Sequence, residues 1–379
     1  MGLTNIRLGD YIERSTVNNK DLKYGTELIV GVNNHGVFTV PKGNTDGVDL
    51  QPYKIVNNGA FVYNPTRLEL GSIAYRTEDL CIVSHLYIVF YLTEEGKKII
   101  DPMWLYIYFR RAEFCREVTF RNFGSQRPEF NFNDMSDVIV PLPDIKIQRK
   151  YVNVYNAMLV NQQSYERGLE DLRLICDGHF DEAKRGRCIS LGEIIEKVDA
   201  RNSDGLYDES AVRGITNKKQ FEDTKANLVG TDLSKFKIIG KDEFAYNSRT
   251  DGRDMLVLAL NRATDNLIVT FNYNAFRVKS TFKDSVNVEY LYSFFKRSEF
   301  DRRVRFDSWG SSQELLSWDS LCEIVVPFPD IEVQNSIAEI NTVYVKRKDI
   351  NEKLKAQIKD ICPILIKGSI EEARKTKEA

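Results

Sequence analysis

The chain has 379 residues, a mass of 43.7 kDa and a formal net charge of −2, and this length predicts two domains with a connector. An apolar fraction of 42% excludes an intrinsically disordered chain, and the nearly neutral total charge allows a nucleic-acid site only as a local patch. No stretch reaches the roughly 18 apolar residues of a membrane span and no signal-peptide pattern follows Met1, so we expect a cytoplasmic protein.

Short β-strands are predicted over much of the first half of the chain. Runs rich in apolar and β-branched residues are separated by the Gly, Asn and Asp residues typical of turns, as in "ELIVGV" (27–32), "AFVYN" (60–64) and "CIVSHLYIVFYL" (81–92). The same texture returns in the second half, as in "NLIVTF" (266–271). Together with the helices below, these runs predict an α+β fold with mixed β-sheets.

A helix is predicted to follow the strands of the first half. Asp101 and Pro102 have the residue types preferred at an N-cap and at the first helical position. Leu105, Phe109 and Ala112 then follow at helical spacing, which predicts one continuous helix through all three.

The sequence "VPLPDIKIQ" (Val140–Gln148) marks the end of the first domain. Proline disfavours both a helix interior and a central strand, so we expect this segment to leave the domain as extended chain. Residues then recur every three or four positions in the pattern of a coiled-coil helix of roughly 30 residues. The members of this seam are Tyr151, Tyr155, Met158, Gln162, Tyr165, Leu169, Leu172 and Cys176.

The second half of the chain repeats the first. A shift of 186 residues aligns 105–148 with 291–334 without a gap, and the second copy ends in "VPFPDIEVQ". A shift of 183 aligns "IRLGDYI" (6–12) with "ISLGEII" (189–195), and Asn287 stands at the second helix cap. The period is too long for a solenoid, so the sequence predicts a duplicated domain.

The segments between these anchors differ. Residues 20–56 and 204–239 show little resemblance, which is typical of one scaffold that carries two recognition surfaces. A second heptad seam follows the second copy and consists of Ile337, Ile340, Tyr344, Arg347, Asn351, Leu354, Ile358, Ile361 and Leu365. We expect the two long helices to pair antiparallel, with Gln162 and Asn351 at one level where they fix the register. The alternative is two exposed helices, each packed on its own domain.

The residues favour binding over catalysis. His35, His85 and His179 stand apart from any nucleophile motif, and no glycine-rich phosphate loop opens a helix. Asp330 and Glu332 suggest part of a metal-dependent nuclease core, but the first copy has Lys146 in place of Glu332. We therefore predict no catalytic residue and no metal site.

Two groups of polar residues are candidates for contacts with DNA. One is the basic segment after each capped helix with its loop, "GSQR" (124–127) or "GSSQ" (310–313), and the other is the turn after each "YN" strand. Arginine, glutamine and asparagine can hydrogen-bond base edges, and basic residues neutralise phosphates. On composition alone, a solvated helix face with ordinary loops explains the same residues. The candidates are Asn64, Arg67, Arg110, Arg111, Arg121, Ser125, Gln126, Arg127, Asn247, Arg249, Arg253, Arg297, Arg303, Ser311, Ser312 and Gln313.

These features together resemble the specificity subunit of Type I restriction-modification systems. The resemblance covers nearly the whole chain through "LGDYI" and "LGEII", "NPTRLELGSIA" (64–74), the two proline-bracketed exits and a long helix after each. It implies target recognition domains at 1–145 and 187–331 and spacer helices at 146–186 and 332–379, in a pseudo-two-fold arrangement.

The resemblance also implies a function and partners. The chain would recognise a bipartite, asymmetric double-stranded DNA target and dock two methyltransferase (modification) subunits through its helices, beside restriction/translocase subunits. The partners would use S-adenosylmethionine, ATP and Mg²⁺, and this chain would bind no cofactor itself. Alternatives are the specificity component of a related, Type IIB-like system, an unrecognised nuclease or methyltransferase, and an interaction scaffold that does not bind DNA.

Overall fold

A computed structural model describes residues 2–41, 43–122, 129–250, 255–308 and 314–378. It divides into two compact units, which we call unit 1 (Met1–Tyr165 with Ile350–Ala379) and unit 2 (Glu166–Asp349). Each unit contains part of both long helices, whereas the predicted domain boundaries lie near the helix ends. The predicted boundaries separate recognition domains from spacer helices, and they stay a prediction.

In the described ranges, unit 1 contains ten short strands, four short α-helices, the beginning of the first long helix and the end of the second. In chain order up to the first long helix, they are β1 (Thr4–Arg7), β2 (Ile12–Ser15), β3 (Gly31–Val32), β4 (Phe38–Thr39), β5 (Lys54–Val56), β6 (Phe61–Tyr63), β7 (Ile73–Tyr75), β8 (Cys81–Val83), β9 (Ile88–Leu92), α1 (Glu94–Ile99), α2 (Pro102–Phe109), α3 (Ala112–Arg121), α4 (Phe132–Ser136), β10 (Ile139–Leu142) and α5 (Ile145–Ala183).

Unit 2 repeats the order of the strands, with two differences in the short helices. Its elements are β11 (Cys188–Ser190), α6 (Leu191–Ile194), β12 (Ile195–Val198), β13 (Arg213–Ile215), β14 (Phe221–Asp223), β15 (Lys237–Ile239), β16 (Phe244–Asn247), β17 (Leu258–Leu260), β18 (Leu267–Val269), β19 (Tyr273–Val278), α7 (Val288–Phe295), α8 (Ser298–Phe306), α9 (Trp318–Glu323), β20 (Val325–Pro327) and α10 (Ile331–Glu378). Here α6 takes the place of a 3-10 turn at Leu8–Asp10, and a 3-10 turn at Ser280–Phe282 takes the place of α1.

The sheets of the two units have the same topology. Unit 1 has an antiparallel sheet in the order β2-β9-β6-β7, and unit 2 has one in the order β12-β19-β16-β17. Three two-stranded antiparallel sheets accompany each of them, namely β1-β10, β3-β4 and β5-β8 in unit 1 and β11-β20, β13-β14 and β15-β18 in unit 2. The predicted duplication and α+β class are therefore confirmed.

An inner strand of each main sheet, β6 or β16, is buried on both faces. In β6, Phe61 and Tyr63 belong to the main core of unit 1, and Val62 belongs to a second apolar cluster on the opposite face. Phe61 stacks on Phe90 with ring centroids 5.0 Å apart, and Phe109 of α2 meets it edge-on at 6.0 Å. Unit 2 repeats this arrangement with Phe244, Phe276 and Phe295. Continuous apolar triplets replace simple alternation because both faces are covered.

The predicted helix cap is confirmed, but the predicted helix is two helices. Asp101 Oδ1 accepts hydrogen bonds from the backbone N–H groups of Met103 and Trp104 at 3.0 and 3.2 Å. The prediction of one helix through Ala112 is wrong, because α2 ends at Phe109 and α3 begins at Ala112. The break places Phe114 of α3 against Phe109, with ring centroids 4.9 Å apart.

The repeated glycine of "LGDYI" and "LGEII" allows a close approach of two segments. A Cβ at Gly9 would lie 2.7 Å from Ser136 Cβ, and a Cβ at Gly192 would lie 2.8 Å from Cys322 Cβ. Both distances are too short for non-bonded carbons. Glycine at these positions therefore lets the start of each unit pack against α4 or α9.

The proline-bracketed motif joins each long helix to its unit. Its first proline lies in the two-stranded antiparallel sheet β1-β10, where Pro141 is opposite Asn5. Its glutamine is fully buried: Gln148 accepts a hydrogen bond from Asp101 N at 2.8 Å and donates to Ile99 O and Pro143 O at 2.8 and 2.7 Å.

Unit 2 repeats this glutamine. Gln334 accepts from Asn287 N at 3.0 Å and donates to Ser285 O and Pro329 O at 3.0 and 2.8 Å. One side chain thus satisfies three backbone groups around the start of each long helix, which explains why both copies keep it.

The long helices pair antiparallel, as predicted. In unit 1, Lys150 Nζ lies 2.8 Å from Glu372 Oε2, and further along α5 Gln162 Nε2 donates to Asn351 Oδ1 at 3.0 Å. Residue numbers increase along α5 while the numbers of their contact partners on α10 decrease, so the two helices are antiparallel. In unit 2, a Cβ at Gly168 would lie 2.8 Å from Arg347 Nη1, so the two helices are also adjacent there.

Both helices exceed the predicted 30 residues. α5 has 39 residues and α10 has 48, and α10 continues through Pro363. The additional turns are held by packing on each unit: Phe180 is buried in the core of unit 2, and Trp104 Nε1 in unit 1 donates to Ser369 Oγ at 3.1 Å. In the part of the chain that the structure describes, no helix is both long and apolar enough to cross a membrane.

Candidate nucleic-acid interface

The turn after β6 presents Arg67 to solvent. Asn64 Oδ1 accepts from Thr66 N and Thr66 Oγ1 at 3.0 and 2.9 Å, which closes the turn. Leu68 anchors the next residues in the core with 0% exposure. Arg67 lies exposed between these fixed points, and within the described ranges its guanidinium has no hydrogen-bond or ion-pair partner. It is available to an anionic ligand.

In each unit, a described residue that follows the predicted loop is hydrogen-bonded to the turn after the "YN" strand. In unit 1, Phe130 N, shortly after the "GSQR" loop, donates to Pro65 O in the turn at 3.0 Å. In unit 2, Leu316 N, shortly after the "GSSQ" loop, donates to Ser248 O at 2.8 Å. No local sequence pattern predicts that these segments touch, because they are more than 60 residues apart.

The corresponding turn of unit 2 is also ordered. Asn247 Oδ1 accepts from Arg249 N at 3.1 Å, and Thr250 N donates to Glu314 O at 2.9 Å. Arg249 is exposed, and its backbone forms an isolated antiparallel β-bridge with Leu315. The side-chain oxygens of both predicted asparagines thus shape their own turns.

Arg110 holds two loops of unit 1 together. Its guanidinium donates through Nη1 to Gly71 O and through Nη2 to Asn34 O at 3.2 Å. Gly71 lies in the turn after β6, and Asn34 lies at the tip of the β3-β4 hairpin. Tyr106 Oη adds a hydrogen bond to Gly36 O at 3.2 Å in the same hairpin. The guanidinium of Arg110 therefore donates its hydrogen bonds to backbone carbonyl oxygens of its own unit.

Unit 2 makes the same connection with different side chains. Lys219, in the β13-β14 hairpin, is 4% exposed and donates to Phe295 O at 2.5 Å and to Asp301 Oδ1 at 2.7 Å. Asp301 Oδ1 also accepts from Leu256 N at 3.0 Å, in the segment leading to β17. Tyr292 Oη donates to Lys219 O. Burial lowers the pKa of Lys219 and raises the pKa of Asp301, while their mutual attraction opposes both shifts.

Most of the other predicted arginines interact inside the protein. Arg111 Nε donates to Tyr108 O at 2.9 Å, and its guanidinium stacks 3.8 Å from the Tyr108 ring centroid. Arg121 pairs with Glu117 at 2.6 Å, and Arg303 pairs with Asp307 at 2.5 Å while its side chain remains 57% exposed. Arg121 and Arg303 are exposed enough to exchange these partners for a phosphate.

Arg297 occupies a structural position. Its side chain is 9% exposed and lies 3.1, 3.0 and 3.1 Å from carboxylate oxygens of Asp177, Asp181 and Glu299. The guanidinium also lies 4.9 Å from the ring centroid of Phe180. These contacts tie the start of α8 to the end of α5.

Several predicted residues lie outside the described residues, and sequence reasoning missed others. The former are Ser125, Gln126, Arg127, Arg253, Ser311, Ser312 and Gln313. The latter include the buried Lys219–Asp301 pair and the hairpin tips at residues 33–36 and 216–219. The turn-forming composition of "NNHG" (33–36) was a usable signal for the first tip. Among the described residues, no group of three or more His, Cys, Asp or Glu side chains could hold a metal ion.

Comparison with known proteins identifies a related family. Residues 5–157 match the family model of the Type I restriction modification DNA specificity domain, whereas no curated protein matches the chain. Three similar solved structures each align with 97% of this chain. They are the S subunit of a Type-I restriction-modification system from M. genitalium (13% identity, 96% of that chain, TM-score 0.57), the HsdS subunit from Thermoanaerobacter tengcongensis (15%, 96%, 0.41) and a chain from work on complex assembly and conformational transition of the type I R-M system (14%, 97%, 0.49).

The M. genitalium subunit shares the fold of this chain over nearly the whole length of both. The family model covers the first of the two repeated copies. Residues 5–157 are therefore similar to the Type I restriction modification DNA specificity domain, and the chain has the fold of the M. genitalium S subunit, which confirms the resemblance in its sequence.

Proposed function

We propose that the chain is the non-catalytic specificity subunit of a Type I restriction-modification complex, and that it recognises a bipartite, asymmetric DNA target. The observation that carries the proposal is one scaffold built twice with different loops. Both units have the same sheet order and a side-chain cap at the equivalent helix start, Asp101 or Asn287, but residues 20–56 and 204–239 differ in sequence. Identical scaffolds with unlike loops suit two half-sites of different sequence.

The proposed DNA contacts are the exposed members of the predicted set. Arg67 and Arg249 stand on ordered turns, and Arg121 and Arg303 carry exchangeable surface ion pairs. Positioned arginines can neutralise phosphates or hydrogen-bond guanine. Arg110 and Arg297 are proposed as structural residues, because their guanidinium groups are already directed at internal oxygens.

The paired helices are proposed to set the half-site gap and to dock two modification subunits. Several large apolar side chains on them are exposed, including Val160 at 61%, Leu174 at 60% and Ile364 at 64%. A hydrophobic partner surface would cover such residues. The buried Gln162–Asn351 pair is proposed to fix the helix register, since a polar pair in an apolar seam disfavours slipped alignments.

Methylation mapping tests this proposal. The chain is produced in a host without restriction-modification genes, together with a Type I modification subunit from the same source, and methylated bases are mapped across the genome. We expect one motif with two unlike half-sites and a fixed gap, absent when this chain is omitted. Methylation without this chain, or by this chain alone, would contradict the proposal. In the restriction-competent complex, cleavage on both sides of the site would identify the related Type IIB-like system instead.

A further inference from the structure

We propose that the tips of the β3-β4 and β13-β14 hairpins read bases, one in each half-site, and that an internal clamp aims each tip. The clamp is Arg110 in unit 1 and the Lys219–Asp301 pair in unit 2. This inference rests on the proposed DNA-specificity function and names base-reading and positioning residues for it.

The two hairpins are structural equivalents despite their different sequences. Asn33 N donates to Val37 O at 3.1 Å, and Thr216 N donates to Gln220 O at 3.0 Å, which closes the same loop in each. Gly36 and Lys219, which are 183 positions apart, both have positive φ, 74° and 59°. Lysine is strained in this left-handed conformation, so its presence there suggests a specific demand on the side chain.

The clamp accounts for this demand, because it needs a lysine side chain that reaches Asp301. Each tip is tied to the segment that joins β6 to β7 or β16 to β17, and the predicted turn contacts of its own unit belong to that segment. In unit 1, Arg110 bridges Asn34 O of the tip and Gly71 O of the turn, and Ser72 Oγ donates to Val32 O at 2.9 Å. In unit 2, Asp301 Oδ1 bridges Lys219 Nζ of the tip and Leu256 N at 2.7 and 3.0 Å.

The clamp therefore uses different chemistry for the same purpose. The cation of Arg110, which directly follows α2, acts on two backbone carbonyls in unit 1, whereas a carboxylate from α8 acts on a lysine and a backbone N–H in unit 2. Two independent solutions that hold tip and turn together indicate that their relative position matters. A surface held in advance loses less conformational entropy when it binds a ligand.

The side chains at the tips suit base edges. Asn34 and His35 are exposed in unit 1, and Asn217 and Lys218 take the same places in unit 2. Among the described residues, none of these four side chains has a hydrogen-bond or ion-pair partner. Asparagine can pair with adenine through two hydrogen bonds, and lysine can donate to guanine O6 and N7. A two-stranded ribbon also fits the major groove.

The tips combine a shared and a variable position. Asparagine is the same in both, and histidine is replaced by lysine at the next residue. We therefore expect the variable position to contribute to the difference between the two half-sites.

Single substitutions in the full chain, assembled with its modification subunit, test base reading. The variants are His35→Ala and Lys218→Ala, and the readout is the rate of methylation on duplexes with every base change in each half-site. We expect each variant to lower discrimination at one position of one half-site by on the order of 5- to 150-fold, and to leave the other half-site unchanged. Asn57→Ala and Lys241→Ala are matched controls, because these exposed residues precede β6 and β16, at the ends of those strands opposite the turns.

Tyr106→Phe and Tyr292→Phe test whether the position of each hairpin matters, because these tyrosines hold the same hairpins beside the clamp. Each removes one hydroxyl that donates to the hairpin backbone and leaves the ring in the core. We expect weaker discrimination at one half-site for each variant, with two-state unfolding retained. A purely structural tyrosine would lower stability without changing which bases are preferred.

The outcomes separate the inference from the function on which it rests. If the unaltered complex methylates no bipartite motif, the proposed function fails. If it does and the tip variants keep the same preference at every base, base reading by the hairpins is overturned. Equal losses on all duplexes would also overturn it, because they would indicate phosphate contacts alone.

Discussion

Replacement of the buried glutamine of the proline-bracketed motif is the sharpest test of how each long helix is joined to its unit. Gln148→Leu keeps a side chain of similar size but removes one acceptor and two donated hydrogen bonds. Asp101 N, Ile99 O and Pro143 O would then lose the partners they have at 2.8, 2.8 and 2.7 Å.

The cost follows from counting those groups. A hydrogen bond is worth about 1 kcal/mol, and a buried group left without a partner costs about 1–3 kcal/mol. Gln148 is 0% exposed, so water cannot substitute without a rearrangement. With three groups affected at about 1–3 kcal/mol each, we expect a loss of about 3–9 kcal/mol in the free energy of unfolding.

Urea unfolding followed by circular dichroism measures this loss. Gln163→Leu is the matched control, because Gln163 lies exposed on the same helix and its replacement is expected to change stability by at most about 0.5 kcal/mol. Gln334→Leu is expected to repeat the large effect in unit 2. The reasoning is refuted if Gln148→Leu and Gln163→Leu have the same unfolding midpoint and slope.

Three further substitutions test electrostatics and docking. Arg297→Met should lower the free energy of unfolding by about 1–3 kcal/mol because three ion pairs are lost, and it should leave the methylated sequence unchanged. If the variant instead kept its stability and methylated an altered half-site, Arg297 would be a DNA contact. Burial lowers the pKa of Lys296 to about 8, so the unfolded chain binds more protons between about pH 8 and 10.5, and stability from this group rises with pH there. Lys296→Met should stabilise the protein at pH 7 by at most about 3 kcal/mol, with the gain fading by about pH 10.5 in thermal melts; a constant difference across pH would refute this. Leu174→Glu should weaken co-purification of the modification subunit, whereas the exposed control Glu170→Gln should not.

The sequence alone determined the features that depend on local or periodic patterns. The duplication follows from two constant shifts, and the two long helices follow from seams of three- and four-residue spacing. The cap at Asp101 was predictable because capping needs only neighbouring residues. The antiparallel pairing was predictable because a long apolar seam must be covered.

Only the tertiary structure decided which charged residues remain available to a ligand. Arg297 and Arg303 have the same side-chain chemistry, yet one is 9% exposed among three carboxylates and the other is 57% exposed. Lys219 and Asp301 are 82 positions apart, and no local pattern connects them. Periodicity identifies the face of an element that is buried, but long-range packing determines the atom that each charge meets, because that atom comes from a distant part of the chain.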